Sequence, residues 1–186
     1  MIPLGLPDAP LDTSHPLGAR FAAQGAWTFR DAARLVWDLP YGRPTHTGPE
    51  AVLRDRRGTC SSKHALLAAL AAEVGLPIEL RLGMYMMDGT NTPRTGPALR
   101  AHGFRAVPEA HCVLAAGDEL VDLTWPGVRR PVPPFSAQET IRPDQAGDYK
   151  RAWHRRHLDA WATKHGHDPD AVWAAREAAI DALVWR

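Results

Sequence analysis

The sequence has few of the features that mark secreted, membrane-bound or nucleic-acid-binding proteins. Its 22 Lys and Arg residues balance 21 Asp and Glu residues, and a net charge of +1 offers no general attraction for nucleic acid or an anionic membrane. No apolar run approaches the ~18 residues of a membrane span. The first residues, 1–7, lack the charged and apolar regions of a signal peptide. We therefore expect a cytoplasmic protein that binds neither nucleic acid nor membrane.

Cysteine is also scarce, with only Cys60 and Cys112. Two cysteines cannot form the disulfide framework of a small secreted protein, although a single bridge between them stays open. A zinc site built from Cys60, His64, His111 and Cys112 is disfavoured because the chain has no CxxC or HxxxH pairing among them. We expect neither a metal nor a cofactor.

The composition of the 186 residues, 45% hydrophobic and 23% charged, is typical of one globular domain, 1–186. Apolar periodicity and breaker residues predict helices at about 28–38, from Pro49 through Arg56, at 60–74, 149–165 and 169–185. Alternation predicts strands at 78–85, 110–116 and 119–125. Residues 1–18 read as an extended arm, 87–106 as a long loop and 126–147 as irregular and Pro-rich. Helices, then antiparallel strands, then helices indicate an α+β fold.

Cys60 is the strongest candidate for chemistry. It follows Arg57-Gly58-Thr59 and opens the apolar helix, where unpaired backbone N–H groups and the helix dipole favour a thiolate. A cysteine at a helix start is nevertheless more often inert packing than a nucleophile. A nucleophilic thiol needs a histidine as base and an acceptor that orients the histidine.

The predicted hairpin supplies both groups. If Gly117-Asp118 is a two-residue turn, Ala116 faces Glu119, and His111 and Asp122 are diagonal neighbours on one face of the hairpin. If the turn is Ala116-Gly117, His111 lies directly opposite Asp122, because side chains alternate with period two. Either register predicts a triad of Cys60, His111 and Asp122, with the backbone N–H of Cys60 as an oxyanion donor.

His64 is the competing candidate. It lies four residues after Cys60 on the same helical face and could act as a base or ligand, but it has no evident carboxylate partner in the sequence. The terminal apolar residues Ile180, Leu183 and Trp185 either pack on their own domain or form a dimer surface, so the oligomeric state stays open.

Several stretches of the sequence resemble the transglutaminase-like superfamily of papain-like thiol enzymes. They are Leu39-Pro40-Tyr41-Gly42, Glu50-Ala51-Val52-Leu53, Arg57-Gly58-Thr59-Cys60, the run from Leu66 to Ile78, Glu109-Ala110-His111-Cys112-Val113 and the run from Leu120 to Pro126. The resemblance implies a papain-like core at about 28–126, with the cysteine-bearing helix packed on an antiparallel sheet. Residues 127–186 would add an irregular segment and extra C-terminal helices.

The same resemblance implies a function. Cys60 maps to the nucleophile, His111 to the base and Asp122 to the orienting acid of a thiol enzyme that acts on peptide or protein amides through an acyl-cysteine intermediate. Water as acceptor would make it a peptidase or amidase, and an amine would make it a transglutaminase. The alternative is a catalytically inactive binding or interaction module, because fold does not dictate function.

Overall fold

The computed structural model describes residues 5–48 and 50–184, and within these ranges it is an α+β structure, as predicted. Its helices are α1 (Pro16–Ala22), α2 (Phe29–Asp38), α3 (Ala51–Asp55), α4 (Cys60–Glu73), α5 (Thr95–Ala101), α6 (Asp148–Lys164) and α7 (Pro169–Asp181), with a 3₁₀ turn at Pro143–Ala146. Its strands are β1 (Ile78–Asp88), β2 (Ala106–Ala116), β3 (Glu119–Val121) and β4 (Ala137–Ile141). They form an antiparallel sheet in the order β3-β2-β1-β4. In the part of the chain that the structure describes, no helix is both long and apolar enough to cross a membrane.

The long helices begin where the sequence predicts them, because local capping signals mark their starts. Thr28 and Asp31 form a reciprocal capping box that opens α2. Thr59 and Ser62 do the same for α4, so Cys60 is its first helical residue. The short helix predicted from Pro49 is α3, although Pro49 itself lies outside the described residues.

Two segments predicted to be irregular contain regular structure. The segment 87–106 includes the end of β1 and the helix α5, whose first residue Thr95 donates its hydroxyl to the carbonyls of Asp88 and Thr92. Seven residues that include Gly96 and Pro97 are too few and too turn-like for periodicity to reveal a helix. The segment 126–147 includes the short strand β4 and the 3₁₀ turn. The arm predicted at 1–18 gives way to α1 at Pro16.

The second hairpin strand is shorter than predicted, because β3 ends at Val121 rather than at Trp125. The cause is visible in the next backbone N–H groups. The N–H of Leu123 donates to Nε2 of His64, and the N–H of Thr124 donates to Oδ1 of Asp122. Consecutive N–H groups of a strand point to opposite edges, so one of these two donors would have paired with β2 in a longer strand, and here side chains accept both.

The described part of the chain folds as two compact units. The first unit holds the described residues up to Arg81, with Cys112–Val132 and Thr140–Ala146. The second unit holds Leu82–His111, Pro133–Glu139 and the described residues from Gly147 onward. The expectation of a single domain, 1–186, stays a prediction.

In the first unit, α4 is the central helix. It contacts α1, α2, α3 and the 3₁₀ turn, and its buried residues extend around much of its circumference. The α2 face that includes Phe29, Val36 and Trp37 is also buried. Two polar side chains near the start of α4, Lys63 and His64, are fully buried beside its apolar run.

In the second unit, α7 packs against α5 and α6, and a buried ion pair connects α7 to β2. Arg176 donates two hydrogen bonds to the Glu109 carboxylate at 2.6 and 2.8 Å. His154 of α6 lies 3.9 Å from the same carboxylate, and its Nε2 is 3.0 Å from the carbonyl oxygen of Pro108. These contacts fix β2 two residues before His111. Ile180 and Leu183 are buried, whereas Trp185 lies outside the described residues.

Replacing Arg176 tests this ion pair. Arg176→Ala leaves the Glu109 carboxylate buried without its guanidinium, and we expect the free energy of unfolding to fall by about 3–5 kcal/mol. Arg155→Ala is the matched control, because Arg155 also lies 5.5 Å from the Trp173 ring but pairs with Asp159 and Asp170 near the surface. It should cost less than about 1 kcal/mol. If urea unfolding shows the same loss of unfolding free energy in both variants, the buried pair has no specific stabilising role.

The same cluster predicts acid sensitivity. Burial lowers the pKa of His154 from 6.5 to about 4, so stability is lost as pH falls from 6.5 towards 4, where only the unfolded chain takes up the proton. Burial alone would raise the pKa of Glu109, but Arg176 and His154 outweigh it and lower the pKa from 4.5 to about 2. A further loss therefore follows between pH 4.5 and 2. Urea unfolding across pH 7 to about 2 measures both losses. His154→Gln should lessen the lower loss, because His154 contributes to the low pKa of Glu109, and it should flatten the curve in the upper window. An unchanged slope there would rule out His154 as its source.

Candidate functional site

The hairpin register agrees with one of the two predicted turns. Ala116 pairs with Glu119, Ala115 with Leu120 and Leu114 with Val121, so Gly117-Asp118 is the two-residue turn. Gly117 has φ +61°, a left-handed conformation that glycine adopts without a steric penalty. The register thus follows the predicted alternation up to Val121, the residue before Asp122.

Cys60 occupies the first position of α4, as predicted. Its residue is only 6% exposed, and its Sγ lies 3.8 Å from the hydroxyl of the adjacent Ser61. The capping box of Thr59 and Ser62 supplies side-chain partners at this helix end. The helix N-terminus therefore places a thiol in a partly positive electrostatic environment.

Asp122 belongs to the same unit and lies close to the first turn of α4. Its Oδ1 accepts the N–H of Thr124 at 2.9 Å and lies 3.7 Å from Nε2 of His64. Nδ1 of His64 is 2.7 Å from the backbone oxygen of Cys60. A single imidazole therefore spans the distance between the backbone of Cys60 and the carboxylate of Asp122.

The contacts of His64 define its role. The N–H of Leu123 donates to Nε2, and the carbonyl of Cys60 can only accept, so the ring fits the tautomer with its proton on Nδ1. Both ring nitrogens are then engaged with the backbone. The sequence showed no carboxylate partner for His64, and the structure places the Asp122 carboxylate 3.7 Å from its Nε2. The geometry favours a structural bridge over a base or a metal ligand.

Lys63, the neighbour of His64, is a polar residue that sequence reasoning missed. Its ammonium donates to the carbonyls of Trp37, Leu39 and Thr124. Burial lowers the pKa of Lys63 from 10.5 to about 8, and the charges of Asp122 and Asp38 oppose this shift. The available signal was the pair Lys63-His64 directly before the apolar run 65–72 of the same helix.

His111 lies on β2 and belongs to the second unit. It is buried, and its ring meets the edge of Tyr85 with centroids 5.9 Å apart and an interplanar angle of 72°. The hydroxyl of Tyr85 is hydrogen-bonded to Oγ1 of Thr92 at 2.9 Å, which fixes the phenol ring. The structure thus brings Cys60 and Asp122 to one end of α4, and the part of His111 in a triad stays a prediction.

Other features of the candidate residues bear on chemistry. No disulfide joins Cys60 to Cys112, and Cys112 is fully buried. Among the described residues, no group of three or more His, Cys, Asp or Glu side chains is placed to hold a metal ion. The indole Nε1 of Trp37 is buried and has no hydrogen-bond partner among these residues.

Comparisons with protein-family models, with curated proteins and with solved structures found no match to this chain. The transglutaminase-like resemblance therefore stays a prediction that depends on the motifs of the sequence.

Replacing His64 distinguishes a bridge from a base. His64→Ala leaves the buried N–H of Leu123 without its acceptor and removes the bond to Cys60, so we expect a loss of about 2–4 kcal/mol in unfolding free energy. In the folded variant the alkylation rate of Cys60 should still fall when His111 is also replaced, because the bridge is not the base. His102→Ala, at an exposed position, is the control and should change stability by less than about 0.5 kcal/mol. A stable His64→Ala protein whose thiol had lost its reactivity would instead identify His64 as the base.

Proposed function

We propose that this chain is a cytoplasmic thiol enzyme of the transglutaminase-like, papain-like type, acting on peptide or protein amides through a triad of Cys60, His111 and Asp122. The observation that carries the proposal is the polar connection within the first unit. It keeps the candidate acid, Asp122, beside the first turn of the helix that begins with the candidate nucleophile, Cys60.

The proposed reaction has two stages. His111 takes the thiol proton, the sulfur of Cys60 attacks the amide carbonyl carbon, and a C–S bond forms as the C–N bond breaks. The amine leaves with the proton that His111 returns to it. Water or a second amine then attacks the thioester carbonyl, which releases the acid or a new amide and restores the thiol.

Each residue has a defined part in this scheme. The N-terminus of α4 favours the thiolate, and the backbone N–H of Cys60 is directed towards a developing oxyanion. Asp122 orients the imidazole of His111 and stabilises its charged form. The buried indole N–H of Trp37, which has no partner among the described residues, is the candidate for a second donor.

Iodoacetamide labelling across a pH range of about 5 to 10, read by peptide mass spectrometry, tests the proposal. At about pH 6 we expect Cys60 to react about tenfold or more faster than the same cysteine in urea, because an activated thiol is already ionised there. His111→Ala and Asp122→Asn should abolish this acceleration while the far-ultraviolet circular dichroism is unchanged. Cys112, which is fully buried, should stay protected and serves as the internal control.

A different result would favour the inactive binding module. The low exposure of Cys60 is the observation that favours this alternative, because an amide carbonyl must reach the thiol of a residue that is only 6% exposed. If Cys60 in the folded protein reacts no faster than in urea, and if its rate is the same in His111→Ala, the triad has no chemical basis and the enzyme proposal is wrong.

A further inference from the structure

Lys63 is a fully buried lysine in the first turn of α4, three residues after Cys60. Lysine is almost never fully buried without partners, because taking an ammonium group out of water costs several kcal/mol. Its Nζ donates to the backbone oxygens of Trp37 at 3.4 Å, Leu39 at 2.5 Å and Thr124 at 3.1 Å. Three carbonyl acceptors satisfy the three N–H bonds of the ammonium group.

Two of these acceptors show that Lys63 has a structural role at the end of α2. Trp37 and Leu39 lie at the C-terminal end of α2, where carbonyl groups lack partners within the helix and the helix dipole is negative. The ammonium of Lys63 therefore caps α2. This capping role alone does not require a bond to Thr124.

The third acceptor connects Lys63 to the candidate site. Thr124 belongs to the short segment that carries Asp122, and the Asp122 carboxylate attracts the ammonium. The charged and titratable groups around Lys63 are Asp38 from α2, Asp122 from this segment and His64 from α4 itself. Burial lowers the pKa of Lys63 to about 8, so the group is charged at neutral pH.

The stem of Lys63 is confined as well. A Cβ atom added at Gly58 would lie 2.7 Å from Cγ of Lys63 and 3.3 Å from Cγ1 of Val52. The glycine of the Arg57-Gly58-Thr59-Cys60 stretch thus leaves the space that the lysine stem occupies. A stem held this closely keeps its ammonium in one place.

We infer that Lys63 is a positioning residue of the thiol site. Its ammonium holds the segment 122–124 against the first turn of α4 and adds a fixed positive charge that favours the ionised forms of Cys60 and Asp122. Residues three apart on a helix are surface neighbours, and a cation near a thiol acts in the same direction as the helix N-terminus. The inference rests on the proposed function, because it assigns Lys63 to the surroundings of a reactive thiol.

Alkylation of Cys60 in Lys63→Met tests the electrostatic part. Methionine keeps most of the length of the lysine side chain without its charge. We therefore expect the midpoint of the curve of alkylation rate against pH to rise by about one unit, which corresponds to about tenfold slower alkylation of Cys60 well below the midpoint. Lys164→Met is the control, because it removes the same charge from an exposed lysine and should leave the curve unchanged. A folded Lys63→Met protein with the wild-type curve would overturn the inference.

¹³Cε NMR of the lysines tests the interaction between Lys63 and Asp122 without any thiol chemistry. It also tests the inference if Lys63→Met does not fold. The chain has three lysines, Lys63, Lys150 and Lys164, so the signals can be assigned by replacement. Asp122→Asn should lower the titration midpoint of Lys63, because a carboxylate that favours its charge is lost. An unchanged midpoint would overturn the inference.

The two proposals fail in different ways. A wild-type Cys60 that titrates as an ordinary thiol overturns the proposed enzyme, whatever the NMR midpoint of Lys63. If Cys60 is activated in the wild-type protein and its alkylation curve is unchanged in Lys63→Met, only the role of Lys63 is overturned.

Discussion

The packing of the first unit depends on two adjacent polar side chains that are buried near the start of α4. Lys63 donates to the carbonyl of Thr124, and His64 accepts the N–H of Leu123, so two consecutive residues of α4 satisfy two consecutive residues of the segment after β3. All of these groups are buried, and a buried polar group without a partner is costly. The segment therefore has one favourable position against α4, and Asp122 is carried to that position with it.

Buried charge is handled differently in the two units. Lys63 is solvated by backbone carbonyls and has carboxylates nearby, whereas Glu109 is matched by the forked guanidinium of Arg176. In both units the charged group lies a few residues from a candidate site residue, three after Cys60 in α4 and two before His111 in β2. Such rigid polar contacts fix the backbone next to a side chain whose own geometry matters for chemistry.

Local signals account for what could be predicted. The sequence limits the hairpin to two turns, and of these Gly117-Asp118 gives the observed pairing of Ala116 with Glu119 and of Leu114 with Val121. The start of α4 at Cys60 follows from the Thr59 cap and the apolar run behind it. The end of β3 could not be predicted, because the partners of the Leu123 and Thr124 N–H groups are side chains, one of them far away in the chain.

The sequence by itself determined the α+β class, the starts of the capped helices and the place of Cys60 at a helix start, and it limited the hairpin to two registers. These properties depend on residues within a few positions of one another. Only the tertiary structure decided that His64 bridges Cys60 and the segment of Asp122, and that Lys63 is buried on three carbonyls. Those partners lie up to 61 residues apart. A buried polar group takes whichever partner the folded chain brings within reach, and no local pattern encodes that choice.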